Sequence, residues 1–326
     1  MRQPTRFAAI VFGAIAMVAA AASAALAETY PSRPVHLYVS YPPGGASDII
    51  ARLLAQPLSE KLGQPVVVEN KPGSGGNLAG DLVAHAAADG YTILLGPSNL
   101  FTINPHLYKK MSFDPMKDLV PIATVVANQL LLVVNNKVPA NTFQEFIALA
   151  KKSNPPLFYA SIGNGSLHHL AMEMLKQDAG VNITHVPYRG GGPAGIAVLA
   201  GDVSAMFGGG SVFNMVETKQ VRGLAVTSRK RVAALPNLPS ISEFYPDYEA
   251  DIWQGVFAPA ATPQPIVDRL RKSLDEVIAM PDFAAKLAKT GSGEPYPTSL
   301  KEFAARIHRD SDRFGKIVKN ADLKLR

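Results

Sequence analysis

The sequence predicts an α/β fold: two lobes around a ligand cleft, each built on a mostly parallel sheet flanked by helices. Three observations carry that prediction. Short apolar runs of strand length alternate with stretches of helical periodicity, glycine-rich turns separate them, and the pattern recurs in two halves before a helical tail.

In the first half, Pro34–Tyr41 reads as a strand with Val35, Leu37 and Val39 on one face. After Pro42-Pro43-Gly44-Gly45, the apolar positions 49/50, 53/54, 58 and 62 mark one face of a helix that Gly63 stops. Val66–Glu69 is a short strand, Lys71–Asn77 a second glycine turn into a helix, and Tyr91–Gly96 a strand again. The middle repeats the plan. Strands are expected at 130–134, 157–161, 183–187, 203–207 and 224–227, and helices at 142–152, 167–179 and 194–200. Thr142 and Glu145 are placed as a capping box. The tail is helical over 263–279 and 299–319, with Ile266, Leu270, Leu274 and Val277 on one face. With no long linker, the chain is expected to cross between lobes near Val125–Gln129 and again near Asp251–Val256. That division gives lobe I as 28–127 with 252–326, and lobe II as 128–251.

The N-terminal stretch bounds the compartment. Arg2 and Arg6 precede an uncharged, Ala-rich apolar run, and Ala25-Leu26-Ala27 fits the small-x-small site of a signal peptidase. Cleavage after Ala27 and export to a periplasm are expected, leaving 299 residues, enough for two ordinary domains. The absence of cysteine excludes disulfides, thiolate metal sites, a cysteine nucleophile and a lipidated N-terminal cysteine. Losing Arg2 and Arg6 lowers the formal charge from +6 to +4. The remaining Lys and Arg are scattered and not interleaved with aromatics, so nucleic acid is not an expected partner. A mild positive bias suits an anionic solute.

Three turns share one design: a strand end, glycines, then a helix start, at Pro42–Asp48, Gly163–His169 and Gly190–Gly195. Helix N-termini present unpaired N–H groups and partial positive charge, and glycine lets backbone approach a ligand closely. Any one such turn is equally well explained as chain reversal. Their common position at strand C-terminal ends, where open sheets bind ligands, favours anion cradles. One cradle contributes roughly 0.3–1 kcal/mol when exposed, so capture of a dilute solute needs two, closing from opposite lobes. Ser47, Asp48 and Ser166 can add side-chain bonds, and Tyr41 and Tyr188 stand beside the turns as cleft walls. Of the pair His168-His169, one is expected to cap or touch ligand and the other to pack. Trp253 and Tyr248 fit hinge packing as well as ligand stacking.

Catalytic motifs fail. Gly190–Gly195 formally matches GxGxxG, but the next strand ends in Gly208-Gly209-Gly210 rather than the acidic residue a dinucleotide needs. Gly45-Ala46-Ser47-Asp48-Ile49 lacks the last glycine of a nucleophile elbow, no P-loop lysine follows Lys71–Asn77, and no HExxH spacing occurs among the histidines. No catalytic residue, cofactor or metal is therefore expected.

Taken in order, these segments resemble the binding proteins of tripartite tricarboxylate transporters, the Bug or TctC family. The resemblance runs through Tyr30-Pro31-Ser32-Arg33-Pro34, Pro42–Asp48, Glu69–Gly73 with Gly76-Asn77, Asp89-Gly90-Tyr91-Thr92, Gly163–Ser166 with His169-Leu170-Ala171, Tyr188–Gly191, Leu224–Ser228 and Trp253 through Pro259. It implies a two-lobed, periplasmic-binding-protein-like (type II) fold. It also implies a carboxylate held by Pro43, Gly44, Gly45, Ala46, Ser47 and Asp48 against Gly163, Gly165, Ser166, Leu167 and His168. By the same resemblance Asn77, Ser98, Asn99, Thr102, Tyr188, Gly190 and Gly191 line the rest. Further implications are a small carboxylate ligand (a di- or tricarboxylate or an aromatic acid), a membrane permease as partner, and a monomer. One departure is Ser204, where the family often has an acidic residue, which weakens any expectation of an amino-bearing ligand. A periplasmic sensor feeding a signalling kinase is the alternative with the same pocket; a secreted hydrolase would need the missing elbow.

Overall fold

The computed structural model describes residues 30–232, 235–290 and 292–320, so the expected leader and its expected cleavage after Ala27 lie outside the described residues. Two mixed sheets flanked by helices make up the fold. The first contains β1 (Val35–Val39), β2 (Val66–Asn70), β3 (Thr92–Pro97), β4 (Leu119–Asn128), β10 (Ile252–Pro259) and β11 (Glu294–Pro295), in the order β11-β4-β10-β3-β1-β2. The second contains β5 (Leu131–Val134), β6 (Leu157–Ser161), β7 (Ile183–Pro187), β8 (Ala205–Gly208) and β9 (Arg222–Val226), in the order β7-β6-β8-β5-β9.

Neither sheet is mostly parallel. In the first, β1 pairs in parallel with β2 and β3, but β10 runs antiparallel to both β3 and β4. In the second, β6 is parallel to β7 and β8, while β5 is antiparallel to β8 and β9. The reason is topological. The chain leaves the first sheet along β4 into β5 and returns from β9 along β10, and an outgoing and a returning strand side by side must run in opposite directions. Strands β4 and β10 are longer than the crossing points expected from sequence. Pro121, Gly255 and register shifts after Gln254 and Val256 break the alternation that would have marked them.

Helix α1 (Ala46–Leu62) shows how local sequence sets packing. Ile50, Leu54, Leu58 and Leu62 recur on one face and are buried against β1, β3 and the tail helices α9 (Gln264–Ile278) and α10 (Pro281–Thr290). Burying each such side chain contributes about 1.5–3 kcal/mol. Gly63 ends α1 at φ 74°, a left-handed conformation that other residues rarely adopt. The opposite face of the sheet carries a second core of Leu94, Phe101, Trp253, Phe257 and Phe303, with Phe101 and Phe257 stacked at 4.0 Å. Trp253 is thus core and not a ligand platform, and the Tyr248 hydroxyl is spent on the Ala171 carbonyl at 2.9 Å.

The last helix, α11 (Leu300–Asn320), ties the two halves together. Phe303 and Ile307 sit in the aromatic core of the first sheet, whereas Phe314, Ile317 and Val318 pack in the core of the second. Between those ends, buried Arg306 approaches Glu249 at 3.3 Å and Asp310 at 3.2 Å, and Asp310 accepts the Trp253 indole N–H at 3.0 Å. A buried cation on α11 therefore braces the segment through which the chain returns to the first sheet.

Candidate functional site

The first turn is built around Asp48. Its carboxylate accepts the Gly44 N–H at 2.9 Å, the Arg52 Nε–H at 3.0 Å and the Asn70 Nδ2–H at 3.0 Å; Asn70 also donates to the Tyr41 carbonyl. Hydrogen bonding from Arg52 is the main cause holding the Asp48 pKa down to about 2. The side chain thus binds turn, helix and β2 together. Gly44 sits at φ 82° with open space where a Cβ would point. Gly45 caps α1 without any side-chain bond, and the amides of Ala46, Ser47 and Asp48 have no hydrogen-bond partner. This helix end is open.

The second turn is closed on itself. Ser166 caps α6 (Leu167–Ala179): its hydroxyl donates to the Gly163 carbonyl at 2.7 Å and accepts the His169 N–H at 3.3 Å. His169 Nδ1 in turn accepts the Gly165 N–H at 3.1 Å, which requires that nitrogen to be unprotonated. Ser161 Oγ accepts the Gly163 N–H at 3.1 Å and lies 2.6 Å from His185 Nε2. His185 stacks between His169 and Tyr159, and the Tyr159 hydroxyl donates to Glu173 at 2.8 Å. Burial, then the neighbouring His169, pushes the His185 pKa down to about 4; burial alone does the same for His168. Of the first amides of α6, those of Leu167 and His168 stay free.

The two turns face one cavity of about 800 Å³ between the sheets. Thirteen of the residues predicted from sequence line it: Tyr41, Pro43, Gly44, Gly45, Ala46 and Ser47 from the first turn, Ser98 and Asn99 from the end of β3, and Gly163, Gly165, Ser166, Leu167 and His168 from the second turn. Six predicted residues are not brought to its wall. Asp48 is turned behind the first turn, as described. Asn77 is spent on Asn104 at 2.6 Å, and the Thr102 hydroxyl on the Ser98 carbonyl at 2.9 Å. Tyr188, Gly190 and Gly191 do not reach the wall, and the Tyr188 N–H donates to the Ser161 carbonyl at 3.0 Å. The helix after them (α7, Gly191–Ala200) begins three residues earlier than expected and winds their glycines into its first turn. Ser204 is also remote, bonded through its backbone to Asn135 and Phe158.

Sequence reasoning missed a second set of walls. Gly75 comes from the turn after β2, Asn104, Leu107 and Tyr108 from the short helices after β3, and Asn128, Ile252 and Gln254 from the crossing strands. The expected crossing points already held Asn128 and Gln254; strand ends at a lobe junction were the available signal. Among the described residues no Lys, Arg, Asp or Glu lines the cavity, so its positive potential comes from the helix ends. Asn99 and Asn104 spend both amide N–H groups, and each oxygen accepts once, among one another, Gly75, Tyr41 and Asn77. Among the described residues no group of three His, Asp or Glu side chains could hold a metal ion, and no helix is long and apolar enough to cross a membrane.

Comparison with known proteins places the chain in a family. Residues 50–323 match the family described as the tripartite tricarboxylate transporter family receptor. The chain is 37% identical to a UPF0065 protein from the tcbD–tcbE intergenic region of Pseudomonas sp. strain P51, covering 94% of this chain and 91% of that one. Among solved structures, Rpa4515 of R. palustris with adipate is 32% identical and covers 91% of this chain and all of its own, at a TM-score of 0.75. The periplasmic binding protein BugD is 34% identical with the same coverage and a TM-score of 0.71. The chain belongs to the tripartite tricarboxylate transporter receptor family, with its two-lobed periplasmic-binding-protein fold.

Proposed function

We propose, with that family membership as the premise, that this protein is a periplasmic solute receptor. It captures a small organic carboxylate between the turns at Pro42–Asp48 and Gly163–His169 and presents it to a membrane permease. The observation that carries this reading is the meeting of two glycine-rich helix N-termini, one from each sheet, across a cavity walled by uncharged residues. Free amides at Ala46, Ser47, Asp48, Leu167 and His168 supply directional donors, and the two helix ends supply partial positive charge. Closure of two lobes on the anion gives a permease a distinct state to recognise. No nucleophile paired with a base points into the cavity among the described residues: Ser161 and His185 are hydrogen-bonded behind the second turn. Binding without turnover, as a monomer released into the periplasm after cleavage at Ala27, completes the proposal.

A thermal-shift screen with mono-, di- and tricarboxylates, aromatic acids included, tests it. A true ligand at 100 times its Kd adds about 2.7 kcal/mol of stability. A protein that shifts with none of them is not a carboxylate receptor.

A further inference from the structure

Three histidines stand at the second turn, and two of them are already spent. His169 Nδ1 holds the Gly165 N–H, and His185 Nε2 is paired with the Ser161 hydroxyl. His168 is different. It is 8% exposed, lines the cavity, and its Nδ1 is buried without a hydrogen-bond partner. Buried polar atoms are seldom left in that condition unless something outside the chain fills them. The backbone N–H of His168 is also one of the free amides at the start of α6. Helical side chains lean back toward the N-terminus, so an anion seated on that helix end lies beside the imidazole.

The charged groups around this ring are engaged elsewhere. Among the described residues, Tyr41 and Tyr108 are the other titratable side chains in the wall, and burial raises the pKa of both, so they stay neutral. On α6 itself Glu173 is taken by Lys176 and the Tyr159 hydroxyl. On α11, which packs against α6, Arg306 pairs with Glu249, Asp310 with the Trp253 indole, and Arg313 with the Glu249 carbonyl. His106, in the short helices after β3, is bonded to Ser311, and Asp251 answers to Arg306 and Thr227. Burial alone therefore keeps the His168 imidazole neutral, with its pKa down at about 4. A bound anion works the other way. The two helix ends amount to about one elementary charge, so a dicarboxylate brings one negative charge more than they complement. A carboxylate within about 4–6 Å favours the imidazolium, and in this wall only His168 can become a cation near neutral pH.

We propose that the cleft takes up a dicarboxylate together with one proton from the medium, and that His168 is the residue that holds the proton. This rests on the carboxylate-capture reading above and adds its charge balance: helix ends for one negative charge, an imidazolium for the other. Protonation turns both ring nitrogens into donors, which gives the orphaned Nδ1 a use toward the ligand. His169 cannot take this part, because a proton on its Nδ1 expels the Gly165 N–H and breaks the turn.

Calorimetric titration of the purified protein at pH 6, in two buffers of different ionisation enthalpy, counts the protons taken up per ligand bound. Succinate, glutarate and adipate are compared with butyrate, pentanoate and hexanoate, the monoacids of the same lengths. The best-fitting dicarboxylate takes up about half a proton or more, and its monoacid less. His168→Gln and His168→Asn do not titrate, so each removes the uptake, and either variant that folds by circular dichroism suffices. Because the ligand raises the histidine's pKa, the ratio of wild-type to variant affinity for the dicarboxylate grows about threefold or more from pH 7.5 down to pH 5.5. Dicarboxylate binding without uptake overturns the inference and leaves carboxylate capture standing. So does uptake that persists undiminished in a folded variant, which belongs to Asp251 or to the acid itself, and so does binding of monoacids alone. If no acid binds, aromatic ones included, both are overturned.

Discussion

The two turns deliver the same object, a helix N-terminus, to the same cavity, and they are held there by opposite means. The first is braced from behind by an ion: Asp48 ties Gly44, Arg52 and Asn70 together, which leaves the end of α1 uncapped. The second is braced by neutral groups within itself, Ser166 and His169, and so spends part of its own donor capacity. An open end supported by a carboxylate offers more free amides than an end that caps itself. The two turns are therefore asymmetric: the first leaves three helix-end amides free, and the second leaves two on a turn whose integrity depends on unprotonated imidazoles.

Acid separates the two turns most strongly. His168 has its pKa pushed below the ordinary 6.5 to about 4, so its neutral form is favoured by folding. That contribution is complete above pH 6.5 and is lost as the pH falls toward 4, on the order of 3 kcal/mol in total. Asp48, held at about 2, stays ionised over that window. Buried Asp251, raised to about 7, has the opposite sign, so the histidine effect is read as the difference in unfolding free energy between wild type and His168→Gln across pH 7 to 4. A difference that does not change with pH removes the contrast.

Breaking the ionic brace is next. Asp48→Ala strips a charged acceptor from Gly44, Arg52 and Asn70 and costs about 2 kcal/mol in denaturant unfolding. Carboxylate affinity in a titration falls about tenfold although the side chain does not face the cavity.

The glycines differ by their surroundings. A Cβ at Gly165 would lie 2.3 Å from Leu107 Cδ2, at φ 73°, so Gly165→Ala combines a clash across the cleft with backbone strain, about 2 kcal/mol. Gly44→Ala meets open space and carries the left-handed cost alone, about 1 kcal/mol. Equal thermal shifts for the two would show that Leu107 yields freely. Ser166→Ala is as small in stability as Gly44→Ala, about 1 kcal/mol for a lost cap, with affinity reduced but not abolished because the Leu167 and His168 amides remain.

Much of the architecture was legible in the sequence, and what was not has identifiable causes. Strands β1, β6 and β7 and helices α1 and α6 follow from apolar periodicity bounded by glycine and serine, signals that act within a few residues. The long strands β4 and β10 escaped because Pro121, Gly255 and two register shifts interrupt their alternation. Tyr188, Gly190 and Gly191 carried the same local signature as the other turns, but α7 starts early at Gly191 and the cavity wall does not reach them. Gln254 gave no local signal: a lone glutamine on a strand reads as solvent-facing until its neighbours are known.

The sequence by itself determined that glycine turns would end in helix starts, since capping, propensity and periodicity are local forces. Only the tertiary structure decided which of those helix ends share a cavity, which polar side chains are already satisfied, and that no charged side chain among the described residues lines the wall. Those outcomes depend on strand pairing between residues more than a hundred positions apart, as in Gln254 beside Val126 and Pro97, and on the burial that follows from it.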